Sequence, residues 1–345
     1  MSDSITIAID AMGSDKGPEE IISGAALSKE RHPESNYIFF GDHKLINKVL
    51  NKFVILQKSS EIIDSNFTVS PDDKPSTVLR QSKNTSMGKS LDWLKNKKVH
   101  AVVSAGNTGA LLALSKFKLR TLEGISRPAI ATTIPHSKGE LIMLDLGANV
   151  ECSSENFIQF AIMGSEFAKI ILGKEKPRIG ILNVGTEQEK GKIILQDVAN
   201  HLKKSYLSKQ FIGFVEGNEI TDGIVDVVVT DGFTGNIALK TAEGVAKLCY
   251  FYIKNIFTDT ILGKISFFLI RRSLGSLKSK LDPRMRNGAL FLGLNGIVVK
   301  SHGGADALGF ASAIDLAFEF SKERVGDKIM TGLQNIKLLE EGDIG

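Results

Sequence analysis

Six loops rich in Gly, Ser, Asn and Asp follow apolar runs in this chain and hold most of the residues that could do chemistry. They are Asp10-Ala11-Met12-Gly13-Ser14-Asp15, Ser104-Ala105-Gly106-Asn107-Thr108-Gly109, Asp145-Leu146-Gly147-Ala148-Asn149, Asn183-Val184-Gly185-Thr186-Glu187, Asp231-Gly232-Phe233-Thr234-Gly235-Asn236 and Ser301-His302-Gly303-Gly304-Ala305-Asp306. In open α/β sheets ligands bind beyond the carboxyl ends of strands, where small residues let backbone amides approach an anion. One such loop is explained by turn conformation alone. Six, with Lys190, Lys192, Lys240 and Lys300 close behind, point to an oxygen-rich anionic ligand, with Lys190 placed over it.

Other chemistries lack their residues. No two glycines stand two apart, so the Gly-x-Gly-x-x-Gly fingerprint of dinucleotide binding is missing. Gly88-Lys89-Ser90 resembles the end of a P-loop, but Lys83 occupies the position of its first Gly. The six histidines make no His-Glu-x-x-His, so no zinc site is expected. Asp10, Asp15, Asp145 and Asp231 could ligate a metal, yet capping of their own loops is the simpler role. Gly-x-Ser-x-Gly is also missing, so in an acyl-transfer enzyme the nucleophile would belong to the substrate. Phosphate suits that part, because once desolvated and held in line it attacks an activated acyl group directly. The protein must then bind its charge and stabilise the oxyanion on the carbonyl, tasks for Lys, Asn amides and backbone N–H groups. His302 is a candidate to protonate the leaving group.

These loops need a scaffold, and the rest of the chain describes one. Its 345 residues are 42% hydrophobic and 24% charged, an ordinary globular composition. Apolar runs expected as strands are 5–9, 37–40, 53–56, 101–104, 129–134, 141–144, 179–182, 211–215, 224–229, 289–292 and 297–299. They alternate with helical periodicity at 18–29, 87–96, 108–117, 154–172, 193–205, 235–256 and 305–321, the pattern of an α/β protein with a parallel or mixed sheet. No repeat or low-complexity tract divides the chain, so 1–345 is read as a single domain.

Residues 248–282 stand apart. Tyr250, Phe251, Tyr252, Phe267, Phe268, Leu269 and Ile270 interleave with Lys and Arg there, which predicts a helical hairpin inserted in the domain and projecting from it. Positions 261–286 carry seven basic residues against Asp282, a net +6 within a chain of +4. That local field favours an anionic neighbour such as an acidic protein or anionic lipid, with Phe267, Phe268 and Ile270 entering an interface while Arg271 and Arg272 stay at its surface. The overall charge gives no reason to expect nucleic-acid binding. Cys152 and Cys249 form no motif and are expected as small buried hydrophobes of a reducing compartment. The N-terminal apolar run has no basic leader, and the longest charge-free stretch, 99–115, is broken by Gly106, Asn107 and Gly109 and is shorter than the ~20 residues of a bilayer span. A cytoplasmic protein is expected.

Several of these blocks together resemble the phosphate acyltransferases of bacterial phospholipid synthesis, the PlsX family. Ile7-Ala8-Ile9-Asp10-Ala11-Met12-Gly13 is similar to that family's opening, and Val103-Ser104-Ala105-Gly106-Asn107-Thr108-Gly109-Ala110 to its most recognisable block. The match continues through Gly124-Ile125-Ser126-Arg127-Pro128-Ala129, Leu144-Asp145-Leu146-Gly147-Ala148-Asn149, Leu182-Asn183-Val184-Gly185, Lys190-Gly191, Asp231-Gly232-Phe233-Thr234-Gly235-Asn236 and Lys300-Ser301-His302-Gly303. The resemblance implies a three-layer α/β/α sandwich with a mixed sheet, like isocitrate and isopropylmalate dehydrogenases, and a homodimer with neither metal nor organic cofactor. It implies acyl transfer from acyl-acyl-carrier protein to inorganic phosphate, giving acyl phosphate for phosphatidic acid synthesis. Peripheral contact with the inner membrane or with the downstream glycerol-3-phosphate acyltransferase would follow. Lys190 and Asn236 become the catalytic candidates, and Asp10, Gly13, Ser104, Gly106, Asn107, Thr108, Gly109, Asn149, Gly185, His302 and Gly303 the phosphate- or acyl-binding ones. A short-chain acyl-CoA enzyme and a membrane-surface scaffold are the alternatives.

Overall fold

In the computed structural model, the residues described are 4–65, 67–70, 73, 75–258, 266–267, 282–323 and 325–342. Among them the strands are β1 Thr6–Asp10, β2 Asn36–Gly41, β3 Ser60–Asp64, β4 Ala101–Ser104, β5 Ala129–His136, β6 Gly139–Leu144, β7 Ile179–Leu182, β8 Phe211–Val215, β9 Val227–Val229, β10 Ala289–Leu292 and β11 Ile297–Lys300. They form one sheet in the order β3-β2-β1-β4-β11-β10-β5-β6-β9-β7-β8. The helices are α1 Pro18–Arg31, α2 His43–Leu50, α3 Val54–Gln57, α4 Pro75–Gln81, α5 Ser86–Lys95, α6 Thr108–Leu119, α7 Ser154–Ile171, α8 Ile193–Lys204, α9 Gly232–Thr258, α10 Ala307–Glu323 and α11 Val325–Gly342.

Strand residues alternate between two cores. Ile7, Ile9, Val103, Leu144, Val229 and Val299 pack with α1, α7, α8 and α10 residues such as Ile21, Phe160, Val198 and Ile314. Ala8, Val102, Met143, Val228 and Val298 face the other way, against Leu91 and Leu94 of α5 and Leu111 and Leu114 of α6. Both faces of the sheet are therefore buried, which is why its strands read as continuous apolar runs and why the molecule has three layers.

Strand direction decides where the six loops go. β1, β4 and β11 are mutually parallel. β10 runs antiparallel to β11 and β5, and β6 antiparallel to β5. β6, β9, β7 and β8 are then parallel to one another and opposed to β1. Loops after β1, β4 and β11 thus open on one edge of the sheet, while those after β6, β7 and β9 open on the other.

Some sequence expectations need correction. Residues 53–56 form a turn of helix instead of a strand, with Leu56 buried while Val54 and Ile55 are exposed. A run of four apolar residues is too short to set a period, and here only part of it meets the core. The strand at 224–229 shortens to β9, because Asp226 is held by Arg178. The strand β3 and the helices α2, α4 and α11 stand where the sequence reading expects no element, although α2 buries Ile46, Val49 and Leu50 on one face; at eight residues it offers little more than two turns of pattern. Neither cysteine is fully buried: Cys152 is half-buried and Cys249 is exposed on α9. Of the residues expected as a projecting hairpin, 248–258 belong to α9, and Phe257 meets Phe267 with ring centroids 5.9 Å apart. Phe268, Leu269, Ile270, Arg271 and Arg272 lie outside the described residues.

Candidate active site

At the first edge, the loops after β1 and β4 are joined beneath their surface. Buried Asp10 accepts a hydrogen bond from Ser104 Oγ at 2.7 Å, and Ser104 Oγ accepts the Gly106 N–H at 3.1 Å. Burial raises the Asp10 pKa, while hydrogen bonds from Ser86 and Ser104 oppose the rise. Gly13 is required by packing, since a Cβ there would stand 2.6 Å from the Gly106 nitrogen. The third loop closes on the first: Asp15 N–H donates to Gly303 O at 3.0 Å. A cavity of about 620 Å³ opens above them, lined by Met12 to Asp15, 68–70, 105–109, Lys300 and Gly303. Asn107 caps α6, accepting the Ala110 N–H at 3.0 Å, so the first turn of that helix lies in the cavity wall.

Lys300, the last residue of β11, is the cation of this cavity. Its ammonium donates to Ala105 O at 3.1 Å and to Ser301 O. Burial pushes its pKa down to about 8, with Asp15 and Asp10 acting against the shift and Lys240 of α9 adding to it. His302 stands outside on the exposed rim, its Nδ1 accepting the Gly304 N–H at 3.1 Å.

The second edge is organised around Asp145. This buried carboxylate accepts the N–H groups of Ile130, Gly147, Ala148 and Asn149 at 2.7–3.2 Å, so it shapes its loop and is not presented to a ligand. Asn149 is likewise committed, donating to Pro128 O at 2.7 Å and Asp145 Oδ2 at 2.9 Å. Its amide N–H groups therefore hold the loop in place.

Asp231 accepts the Thr234 N–H at 2.8 Å and caps α9, which starts three residues before the expected helix. Asn236 sits in the second turn, exposed and beside Gly147, its side chain making no hydrogen bond among the described residues, so Asp231 and not Asn236 caps the helix. Lys190 Nζ pairs with Glu187 Oε1 at 2.7 Å, both more than half exposed. That carboxylate raises the Lys190 pKa, Glu216 adding a smaller effect. Gly185 lets the lysine stem lie across the loop, as a Cβ would meet Lys190 Cδ at 2.3 Å. Lys192 Nζ, 3.7 Å from Asp231 Oδ2, ties the Lys190 loop to the α9 start. Exposed Val150, Val184, Ile193, Phe233 and Ile237 belong to the same loops and helix starts.

The expected site residues therefore form two groups. Asp10, Gly13, Ser104, Gly106, Asn107, Thr108, Gly109, Gly303 and the rim residue His302 belong to the first edge; Asn149, Gly185, Lys190 and Asn236 belong to the second. The start of α9 links them, since Asn236 and Lys240 are four residues apart on one helical face and Lys240 acts on Lys300. Sequence reading passed over Thr68, Val69 and Ser70 in the cavity wall, which carry no motif, and grouped Lys300 with three exposed lysines. Its position at the end of an apolar strand was the available signal.

Residues 5–328 match a family model described as Fatty acid synthesis protein. A protein named Phosphate acyltransferase from Paramagnetospirillum magneticum is 48% identical over 340 residues, covering 99% of this chain and 97% of the relative. Its namesake from Rhodospirillum centenum is 47% identical, covering 98% and 95%. Among solved structures, a phosphotransacetylase from Streptococcus pyogenes aligns over 94% of this chain and 95% of its own, with TM-score 0.61 and 17% identity. A branched-chain phosphotransacylase from Enterococcus faecalis aligns over 92% and 99%, with TM-score 0.55 and 14% identity. At such identities the likeness is one of fold.

Proposed function

The chain belongs to the fatty acid synthesis protein family of phosphate acyltransferases, and we propose from that premise that it moves a fatty acyl group from acyl-acyl-carrier protein to inorganic phosphate. Near-full-length identity to proteins of that name carries this reading. The chemistry on offer agrees with it. A phosphate oxygen attacks the thioester carbonyl, the carbonyl electrons collect on oxygen, and their return expels the thiolate as the C–S bond breaks. The residues needed are cations for phosphate and hydrogen-bond donors for the oxyanion. Lys190, the Asn236 amide and the amides of the first-edge loops are the candidates for those roles, with His302 a possible donor to the thiolate. Gly13, Gly106 and Gly303 keep the loops close, while Asp10, Ser104 and Asn149 position them. The exposed Val150, Val184, Phe233 and Ile237 of the second-edge loops and the α9 start suit an alkyl chain.

The product would feed phosphatidic acid synthesis. Among the described residues no helix is long and apolar enough to cross a membrane. The α9 segment, together with Phe267, is our candidate for contact with the acidic carrier protein, anionic lipid or a downstream membrane acyltransferase, and a homodimer is the expected assembly. A short-chain acyl donor is the second reading, favoured by the fold shared with phosphotransacetylases. The test measures phosphate-dependent acyl phosphate formation from long-chain acyl-carrier protein and from acetyl-CoA, each with and without EDTA. Turnover of the carrier-protein substrate, indifferent to EDTA, is expected; turnover of acetyl-CoA alone would overturn the long-chain reading.

A further inference from the structure

We propose that Lys300 is the cation that holds the phosphoryl oxygens of the substrate, within the cavity between the loops after β1, β4 and β11. The identity of the anion rests on the acyl-transfer reading above. The observation behind the assignment is a partly buried positive charge in the cavity wall with too little counter-charge. Among the described residues no carboxylate lies within 4 Å of Lys300 Nζ, whereas Lys118, Lys190 and Lys240 each hold a carboxylate oxygen at 2.7–2.9 Å. The contacts of Lys300 are the carbonyl oxygens of Ala105 and Ser301, which fix the ammonium without neutralising it.

The charged groups around it do not remove the deficit. Asp10 is buried below the loops and drawn toward its neutral form, with its Oδ2 engaged by Ser104. Asp15 lines the cavity without reaching ion-pair distance, and Lys240 adds a second positive charge. A partly desolvated cation without a carboxylate partner carries a cost, and a bound anion would offset it. The cavity, about 620 Å³, also has room for the reacting end of an acyl donor beside the phosphate. Lysine serves here as a compact point charge, fixed at the end of a strand by register with Ala289 and Ser104.

The experiment measures binding of inorganic phosphate by 31P line broadening without any acyl donor. It is followed by steady-state KM values for phosphate and for acyl-carrier protein, in wild type, Lys300→Met, Lys300→Arg and Lys190→Met. Lys300→Met should weaken phosphate binding about 10- to 100-fold, the effect of losing a charged hydrogen bond. The KM for the acyl donor should stay near wild type. Lys300→Arg should keep most of the binding. In wild type, binding should weaken as pH rises past about 8, where Lys300 loses its proton, and in Lys300→Arg it should persist to higher pH. This comparison still decides the matter if Lys300→Met does not fold. Unchanged phosphate binding in Lys300→Met, or its loss in Lys190→Met instead, would overturn the assignment while acyl transfer stands. Phosphate binding that depends on Lys300 in a protein that transfers no acyl group would overturn the transfer reading and leave the subsite.

Discussion

Lys190 and Asn236 share the second edge of the sheet but differ in what holds them. Lys190 is an exposed ammonium turned onto Glu187, so its use as a phosphate or oxyanion ligand requires exchange of that partner. Lys190→Ala should reduce turnover about 100-fold, the scale of one lost stabilising donor, with an unchanged melting temperature. Turnover within about twofold of wild type, far below that scale, would remove it from the site. Asn236 offers a cleaner separation of function from stability, because Asp231 caps the helix that Asn236 only enters. Asn236→Ala should therefore lower turnover to a similar degree with no thermal cost. Asp231→Ala should cost about 1 kcal/mol as a lost cap. Paired turnover and melting measurements check both, and an Asn236→Ala enzyme that loses activity only in step with stability would make the residue structural.

At the scale of elements, α9 is the outlier. Its first two turns are tied to the loops of the second edge, but beyond them Val245, Leu248, Tyr250, Phe251, Tyr252, Ile253 and Ile256 are all exposed. Helices of a folded domain bury one apolar stripe, whereas this one presents apolar residues on every side. Water alone does not favour such a surface, and large exposed apolar patches mark interfaces. Phe251→Glu combined with Ile256→Glu should abolish co-sedimentation with anionic vesicles and leave acyl phosphate formation by the soluble enzyme intact. If the double variant instead loses dimer mass and keeps vesicle binding, the helix packs against a second copy of the chain. The continuous helix also fixes a geometric relation, since any partner engaged by its far half is connected rigidly to Asn236 and Lys240.

For the molecule as a whole, the antiparallel β5–β6 and β5–β10 pairs are decisive, because they turn half of the sheet around and send the candidate residues to two edges. Asp226 helps to hold the reversed half, joining the start of β9 to Arg178 and Lys174. Burial tends to raise its pKa, but Arg178 and Lys174 outweigh that and hold it at about 2, below the ordinary 3.8. A carboxylate with a lowered folded pKa adds stability above its unfolded pKa and loses it as pH falls through the folded one. Asp226→Asn should thus cost about 2 kcal/mol at neutral pH. In denaturant titrations its difference from wild type should shrink as pH falls from about 4 to about 2. A deficit independent of pH over that range would show that shape, and not charge, is what Asp226 supplies.

Local order was legible in the amino-acid sequence. The runs at 101–104, 179–182, 211–215 and 289–292 are strands with those bounds, and the six Gly- and Asn-rich loops fall where apolar periodicity stops. These features depend on side-chain patterning and turn chemistry over a few residues, which composition and spacing record directly. Strand polarity was not legible, because a strand buried on both faces reads alike in either direction and its partners lie up to 196 residues away, as Ile297 and Ala101 do. Nor could spacing show that the Asn149 amide is engaged inside its loop or that Asp231 caps α9 ahead of Asn236. Only folding withdraws Lys300 partly from water and away from carboxylates while its three fellow lysines remain exposed, and that partial burial is what sets one of four similar side chains apart.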